Sequence, residues 1–274
     1  MKFYVGVTDT EWYKYLSTIN PEDINFWQPG GRAAFKVLSP GAPFLFKLKS
    51  PINAIAGIGF YSSHSILPIS MVWDIFGNRN GAETYEEFYS NIQRLRQKDN
   101  ALNYNPQIGC IVLTNPIFFK QEDWIPSPID WSPSIVQGKS YTDEDPVGKD
   151  LWRKVELAIS KYPLYRQNEG IKSQLILEEP ESQYGNSVLI KVRLGQGAFR
   201  VLVTDAYSRK CAITGEKTLP ALEAAHIKPF AKSGPHFISN GLLLRSDMHK
   251  LFDTGYITIT NDLKVEVSKK IKEE

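Results

Sequence analysis

The chain has 274 residues, of which 42% are hydrophobic and 12% aromatic, and this composition predicts a globular protein with one large core or two modest ones. The net charge of +2 is too small to require a nucleic-acid partner, although it leaves room for local basic surfaces. No window reaches membrane-spanning length and the first residues show no targeting pattern, so we expect a cytoplasmic protein without membrane contact.

The first third of the chain predicts short strands with one helix between them. Residues 2–7, 44–49 and 55–61 alternate or run apolar in the manner of strands. The segment DTEWYKYL predicts a short helix with Asp9 as its N-cap. Together these elements indicate an α+β, barrel-like domain.

The middle of the chain predicts helices, one buried strand and an extended connection. Residues 69–76 and 85–98 show helical patterns, and residues 108–119 have the continuous apolar character of a buried strand. Residues 124–146 are dense in Pro, Ser and Asp, which favours an extended connection or wrapping arm over a packed element. Residues 150–161 predict another helix.

We divide the chain into two domains on these patterns. Residues 1–165 form the first domain with its connecting arm. Residues 166–186 are polar and interrupted by Pro180 and Gly185, and so predict a linker. Residues 187–274 form the second domain.

The residues that can carry chemistry lie near the C-terminus. The segment LEAAHIKPF ends a predicted strand at His226, a polar loop leads to Asn240, and NGLLLRSDMHKLFD then runs into a helix. Because the pKa of imidazole lies near neutrality, His226 can act as a general base. The amide of Asn240 can donate and accept, and so can bridge the loop backbone and keep His226 oriented.

A metal site is predicted on the helix that follows. His249 and Asp253 are four residues apart, so both side chains project from one helix face and can hold a divalent ion. A carboxylate beside an imidazole suits Mg or Mn, with Zn as an alternative. Such an ion would polarise a scissile phosphate while His226 activates water, which is one-metal phosphodiester hydrolysis.

The segments CAITGEKTLPALEAAHIKPF and NGLLLRSDMHKLFDTGYITI resemble the HNH endonuclease family over roughly residues 196–262. The resemblance implies a ββα-metal fold. It implies that His226 is the general base, Asn240 the central asparagine, and His249 and Asp253 metal ligands. Asp247 is a weaker candidate for the site.

Two departures from the family pattern limit this comparison. Many relatives carry a further ligand immediately before the base, whereas this chain has Ala225. Glu223, two residues earlier and on the same strand face, can substitute as a ligand. The cysteine pairs that hold a structural zinc in other HNH proteins are absent, because Cys211 has no C-x-x-C partner and Cys110 is far away. We expect two reduced thiols and no structural zinc.

The segments FYVGVTDTEWYKYL, INFWQPGG, PGAPFLFKL and IAGIGFYSSHSILPISMVWDIFGNRNGA resemble the EVE-type members of the PUA superfamily over roughly residues 1–120. Such domains occur ahead of HNH nucleases and are similar in fold to readers of modified bases. The resemblance implies a PUA-like β-barrel that flips a base out of double-stranded DNA containing 5-methylcytosine or 5-hydroxymethylcytosine.

A pocket for a flipped base needs aromatic rings beside polar groups. Trp27, with Asn25 and Gln28 beside it and a Pro-Gly-Gly loop after it, meets that need. The further aromatic candidates for the pocket are Trp12, Tyr61 and Trp73. Aromatic residues of a small barrel also form its core, and this remains the alternative for each of them.

Contacts to the DNA backbone are expected from Arg32 and Lys36, beside that loop. The whole sequence thus predicts a modification-dependent endonuclease, and because one HNH site cuts one strand, we expect a homodimer. Two alternatives stay open. One is an HNH nickase without modified-base dependence, and the other is a nucleic-acid-binding module whose HNH residues are a degenerate remnant, as Ala225 would allow.

Overall fold

The computed structural model describes residues 1–31, 34–96, 104–162, 195–228 and 238–271. The chain divides into two compact units, Met1–Arg193 and Leu194–Glu274. We call them the N-terminal and the C-terminal unit. Within the described ranges, no helix is long and apolar enough to cross a membrane.

The N-terminal unit is built on one mixed sheet. Its strands are β1 (Lys2–Thr8), β2 (Asp23–Gln28), β3 (Pro43–Leu48), β4 (Ala54–Pro68), β5 (Gln107–Phe118), β6 (Ile125–Pro126) and β7 (Gly138–Thr142). The order across the sheet is β2-β5-β4-β3-β1-β7, and β6 adds to β4. Strand β1 runs parallel to β3, and the other pairs are antiparallel.

Apolar side chains cover both faces of this sheet, so the long central strands are buried on both sides. One cluster contains Phe3, Leu45 and Ile58, and the other contains Phe26 and Phe44. Burial on both faces explains why the strands are continuous apolar runs instead of alternating ones. The α+β class predicted from the sequence is confirmed.

The described part of this unit also contains helices α1 (Thr10–Ile19), α2 (Ile69–Phe76), α3 (Tyr85–Leu95) and α4 (Pro146–Ile159). The predicted N-cap is confirmed, because the Asp9 carboxylate accepts a hydrogen bond from the amide of Trp12 at 3.1 Å. Such a cap satisfies one of the free amides of the first turn. Thr84 and Asp145 cap α3 and α4 in the same way.

Two predictions about this unit need correction, and one strand was missed. The proline-rich arm is not wholly an extended connection, because Gly138–Thr142 pairs with β1 as the edge strand of the sheet. Strand β2 was not predicted. Helix α4 begins at Pro146, ahead of the predicted start, since Asp145 caps it. The predicted linker, residues 166–186, lies outside the described residues.

The C-terminal unit places a β-hairpin between two helices. Its elements are α5 (Gln196–Ala206), β8 (Leu222–His226), β9 (Gly241–Arg245), α6 (Ser246–Asp253), β10 (Ile257–Ile259) and β11 (Val265–Val267). The predicted order of strand, loop, strand and helix is confirmed, whereas α5 and the hairpin β10–β11 were not predicted. A core around Phe199, Leu222 and Leu243 joins α5 to the first hairpin.

Candidate functional site

Three of the predicted site residues contact one another where α6 packs against β8. Oε2 of Glu223 lies 2.6 Å from Nδ1 of His249. On the other side of the ring, Nε2 of His249 lies 3.2 Å from Oδ2 of Asp253. The imidazole side chain is 22% exposed, and the carboxylates of Glu223 and Asp253 are 45% and 59% exposed. The ring is therefore held between two carboxylates that solvent and ligands can reach.

His226 ends strand β8 with its ring stacked on Phe199 of α5. The ring centroids are 4.0 Å apart and the planes differ by 8°. His226 pairs across the hairpin with Gly241. A Cβ at Gly241 would meet the Val203 side chain at 2.3 Å and Phe199 at 3.0 Å. A glycine is therefore required there for α5 to approach the hairpin closely enough to support the His226 ring.

The strand register assigns these residues to two faces of the hairpin. The pairing runs without a shift from Leu222↔Arg245 to His226↔Gly241. Since side chains alternate along a strand, Glu223 and His226 point to opposite faces. His226 faces α5, and Glu223 faces α6.

Asn240 joins the two ends of the loop that follows His226. Its Oδ1 accepts from the amide of Lys228 at 2.9 Å, and its Nδ2 donates to the Lys228 carbonyl at 3.1 Å. The Asn240 carbonyl also accepts from the amide of Ile227 at 2.9 Å. Asn240 is only 9% exposed. This pattern uses both the donor and the acceptor of the amide, which no carboxylate or alkyl side chain could do.

Hydrogen bonds lower the pKa values of Cys211 and Asp247 in this unit. Burial raises the pKa of the Cys211 thiol, but hydrogen bonds from Thr214 and from backbone amides, including that of Arg245, outweigh this effect and leave the pKa below its usual value. The Arg245 guanidinium makes two bonds of 2.7 Å to Asp247 and lowers the pKa of that carboxyl to about 2. Asp247 is thus paired with Arg245.

The predicted base-pocket residues divide between the two faces of the N-terminal sheet. Asn25 and Trp27 are two residues apart on β2 and share a face, where both bind Asn80: Nδ2 of Asn25 donates to Oδ1 at 2.9 Å, and Nε1 of Trp27 to the backbone oxygen at 3.0 Å. Trp27 and Trp73 both pack against Phe88, with centroids 6.0 and 5.8 Å away.

The other three predicted pocket residues lie on the opposite face. Gln28 follows Trp27 directly, so its side chain points to the opposite face of β2. It lies there beside Gly109 of the paired strand β5. Trp12 is 4% exposed and packs edge-on against Phe26. Tyr61 is 7% exposed and packs against Phe35. Trp12 and Tyr61 therefore belong to the apolar core on that face of the sheet, as in the alternative interpretation.

Asn25 carries an unusual acceptor. It is fully buried, and within the described residues its Oδ1 has no hydrogen-bond partner. A buried polar atom without a partner is unfavourable and calls for an explanation. Of the residues predicted to contact DNA, Lys36 is exposed, and Arg32 lies outside the described residues.

Comparison with known proteins gives a family match within the C-terminal unit. Residues 211–260 match the HNH endonuclease family. The match contains His226, Asn240, His249, Asp253 and Glu223 and supports nuclease activity, so we call Leu194–Glu274 the HNH unit from here on. No curated protein matches the chain.

Solved structures similar to the chain include the ASCH protein of Zymomonas mobilis, at 10% identity and a TM-score of 0.36, covering 52% of this chain and 89% of that one. Two single-site mutants of that protein match at 11% and 10% identity, with TM-scores of 0.37 and 0.35. They cover 56% and 57% of this chain and 98% and 95% of their own. The EVE resemblance of the N-terminal unit stays a prediction.

HNH nucleases generally use a divalent metal. The side chains of the HNH unit show which residues could bind such an ion. Among the residues that the structure describes, no three His, Cys, Asp or Glu side chains are arranged to hold a single ion. His249 Nε2 and Asp253 Oδ2 nevertheless form a nitrogen–oxygen pair on one side of α6. Mg²⁺ is commonly bound by one or two protein groups and completes its shell with water and substrate phosphate. This pair therefore fits such an ion, whereas Glu223 lies on the far side of the ring.

Proposed function

We propose that the protein is a metal-dependent endonuclease that cuts double-stranded DNA at or near a modified cytosine. The observation that carries the nuclease part is the contact of Glu223, His249 and Asp253 within the residues that match the HNH family. The strand, loop, strand and helix order brings Glu223 of β8 against His249 of α6. Modified-cytosine recognition rests on the resemblance of the N-terminal unit to base readers.

In this proposal each residue of the HNH unit has one task. His226 takes a proton from the attacking water, and its stacking on Phe199 keeps the ring plane fixed. Asn240 holds the loop after His226 by its two bonds to Lys228. His249 and Asp253 would hold a divalent ion, Mg or Mn. When bound, that ion supplies charge stabilisation at the scissile phosphate.

The reader part of the proposal is supported by the Asn25 face of the sheet. Two half-buried indoles, Trp27 and Trp73, and the ring of Phe88 lie together there. The unpartnered Oδ1 of Asn25 lies on the same strand face as Trp27. Cytosine presents an amino group as a hydrogen-bond donor, so a carbonyl acceptor beside aromatic rings suits the edge of a flipped base.

The first test is cleavage of matched duplexes that contain cytosine, 5-methylcytosine or 5-hydroxymethylcytosine, with Mg²⁺ or Mn²⁺ and with EDTA as the control. Cutting of the modified duplexes alone, abolished by EDTA, is the expected result. Double-strand breaks would further indicate two protomers, since one HNH site cuts one strand. Failure to cut any duplex with either metal would contradict the nuclease assignment.

Replacing Trp27 by alanine tests the reader separately. We expect the variant to lose its preference for modified DNA, because base stacking on an aromatic ring contributes about 1–3 kcal/mol. Trp152 of α4 is a matched control, since its indole binds Glu156 of its own helix. An unchanged preference for modified DNA in the Trp27 variant would show that Trp27 is not part of the base pocket.

A nuclease without modified-base dependence is the second candidate. The burial of Trp12 and Tyr61 in the barrel core favours it, because two of the predicted pocket aromatics are thereby committed to packing. It predicts equal, metal-dependent cutting of all three duplexes.

A further inference from the structure

The two carboxylates beside His249 lie at different distances from the ring nitrogens that they approach. Two atoms that bind one Mg²⁺ at about 2.1 Å and at right angles to each other lie about 3.0 Å apart. The separation between Nε2 and Oδ2 of Asp253 is 3.2 Å, which fits such a pair. The separation between Nδ1 and Oε2 of Glu223 is 2.6 Å, which is too short for two ligands of one ion and fits a charge-assisted hydrogen bond.

The hydrogen bond decides which ring nitrogen is free for a metal. A neutral imidazole carries one proton, so one nitrogen donates and the other presents a lone pair. If Nδ1 donates to Glu223, the lone pair is on Nε2, which is the nitrogen beside Asp253. Carboxylates placed in this way fix the tautomer of metal-binding histidines and orient their rings.

The strand geometry supports the same assignment. Glu223 is on the face of β8 that meets α6, and it reaches His249 from β8 while Asp253 reaches it from within α6. The two carboxylates thus approach opposite edges of one ring. Placing Glu223 on the metal side, beside Nε2, would break the contact with Nδ1 that the structure shows.

We propose that Glu223 is a positioning residue that holds His249 with its proton on Nδ1, so that Nε2 and Asp253 face the metal. This inference rests on the proposed function in one respect, namely that the ion belongs to the nuclease centre. It replaces the sequence-based assignment of Glu223 as a substitute ligand for the position of Ala225. Water and DNA phosphate oxygens then complete the coordination of the ion.

The test is nitrogen-15 NMR of the histidine rings in the full-length, metal-free protein at mildly alkaline pH, followed by titration with Zn²⁺ as a diamagnetic probe. The chain has 4 histidines, and a His249→Gln spectrum assigns the ring of interest. We expect the proton on Nδ1 in the metal-free protein and Zn²⁺ on Nε2. Neither readout requires cleavage activity.

Variants of Glu223 separate positioning from ligation. Glu223→Ala should weaken Zn²⁺ binding about 10- to 100-fold and remove the tautomer preference, as loss of an orienting partner does. Glu223→Gln keeps a carbonyl acceptor for the Nδ1 proton, so it should retain the tautomer and most of the affinity. Glu266→Gln, an exposed change on β11, is the control.

Three results would overturn the proposal: a proton on Nε2 in the metal-free protein, Zn²⁺ bound through Nδ1, or equal weakening by the Gln and Ala variants of Glu223. The last result would make Glu223 a direct ligand. If Zn²⁺ does not bind at His249 while the Nδ1 tautomer is present and depends on Glu223, the positioning contact stands and the metal centre of the proposed function fails.

Discussion

Replacing Asn240 by alanine should destabilise the HNH unit and leave the N-terminal unit unchanged. The substitution removes both hydrogen bonds to the backbone of Lys228, at 2.9 and 3.1 Å. A hydrogen bond of this kind contributes about 0.5–1.5 kcal/mol net, so the pair contributes about 1–3 kcal/mol. Asn240→Asp should be no better, because a carboxylate would face the Lys228 carbonyl without a donor.

The distribution of tryptophan allows the two units to be followed separately. All 6 tryptophans lie between Trp12 and Trp152, so intrinsic fluorescence reports the N-terminal unit, whereas circular dichroism reports both. For a unit of roughly 80 residues, 2 kcal/mol lowers Tm by about 8–16 °C. We expect that shift in the dichroism transition and none in the tryptophan transition.

The exposed Asn261 provides the control for this experiment, since it lies in the turn between β10 and β11. Asn261→Ala should change the Tm little. If Asn240→Ala lowers the Tm no more than Asn261→Ala does, the bonds to Lys228 do not stabilise the loop, and the reasoning from the geometry of Asn240 fails.

Three further predictions follow from particular side chains. His226→Ala should reduce cleavage by about 10²–10⁴-fold, the usual contribution of a general base, while DNA binding in a gel-shift assay is retained; near-normal cutting would exclude His226 as the base. Because the folded-state pKa of Asp247 is about 2, below its ordinary 3.8, its pairing stabilises the protein above that ordinary value and is lost as pH falls toward about 2. The Tm of Asp247→Asn should therefore fall less steeply than that of the unmodified protein as the pH is lowered, and an equally steep fall would contradict this. Burial lowers the pKa of Lys47, whose ammonium donates to the neutral oxygens of Leu48 and Asn53. The stability of the folded protein should therefore rise as the pH increases through that lowered pKa toward 10.5. Lys47→Met should lack this rise, and equal pH profiles of stability for the two proteins would contradict the prediction.

Elements with a local signal could be predicted from the sequence, and elements without one could not. Helix α1 begins where Asp9 predicts its cap, and α2 has the predicted bounds, Ile69–Phe76. Strand β2 was missed because it places polar residues in a buried position. Asp23 and Asn25 are both fully buried there, next to Arg79 and Asn80, more than fifty residues along the chain. No short-range pattern encodes such partners.

The same distinction applies to the side chain that supports His226, the proposed general base. The predicted order of strand, loop, strand and helix located His226, but Phe199, on which its ring stacks, lies in α5, which the sequence did not predict. Helix α5 has no side-chain cap at its start, so the usual start signal is missing. The polar residues of the candidate site could therefore be found from a sequence motif. Phe199, the apolar residue that stacks on the His226 ring, could be identified only from the structure.

The sequence pattern predicts the strand face of Glu223, but its chemical role depends on distances that only the structure gives. The period-two alternation of strand β8 correctly placed Glu223 on the face of Ala225, toward the helix that carries His249. Its chemical role depends on which ring nitrogen it meets. Oε2 of Glu223 lies 2.6 Å from Nδ1, while Nε2 lies 3.2 Å from Asp253 instead. Met248 and Phe252 pack α6 against the core of the hairpin, so the nitrogen that faces Glu223 depends on how this helix packs. Because that packing is not encoded by the identity of the acidic residue, the strand pattern places a glutamate beside His249 without fixing whether it is a metal ligand or, as we propose, a positioning residue.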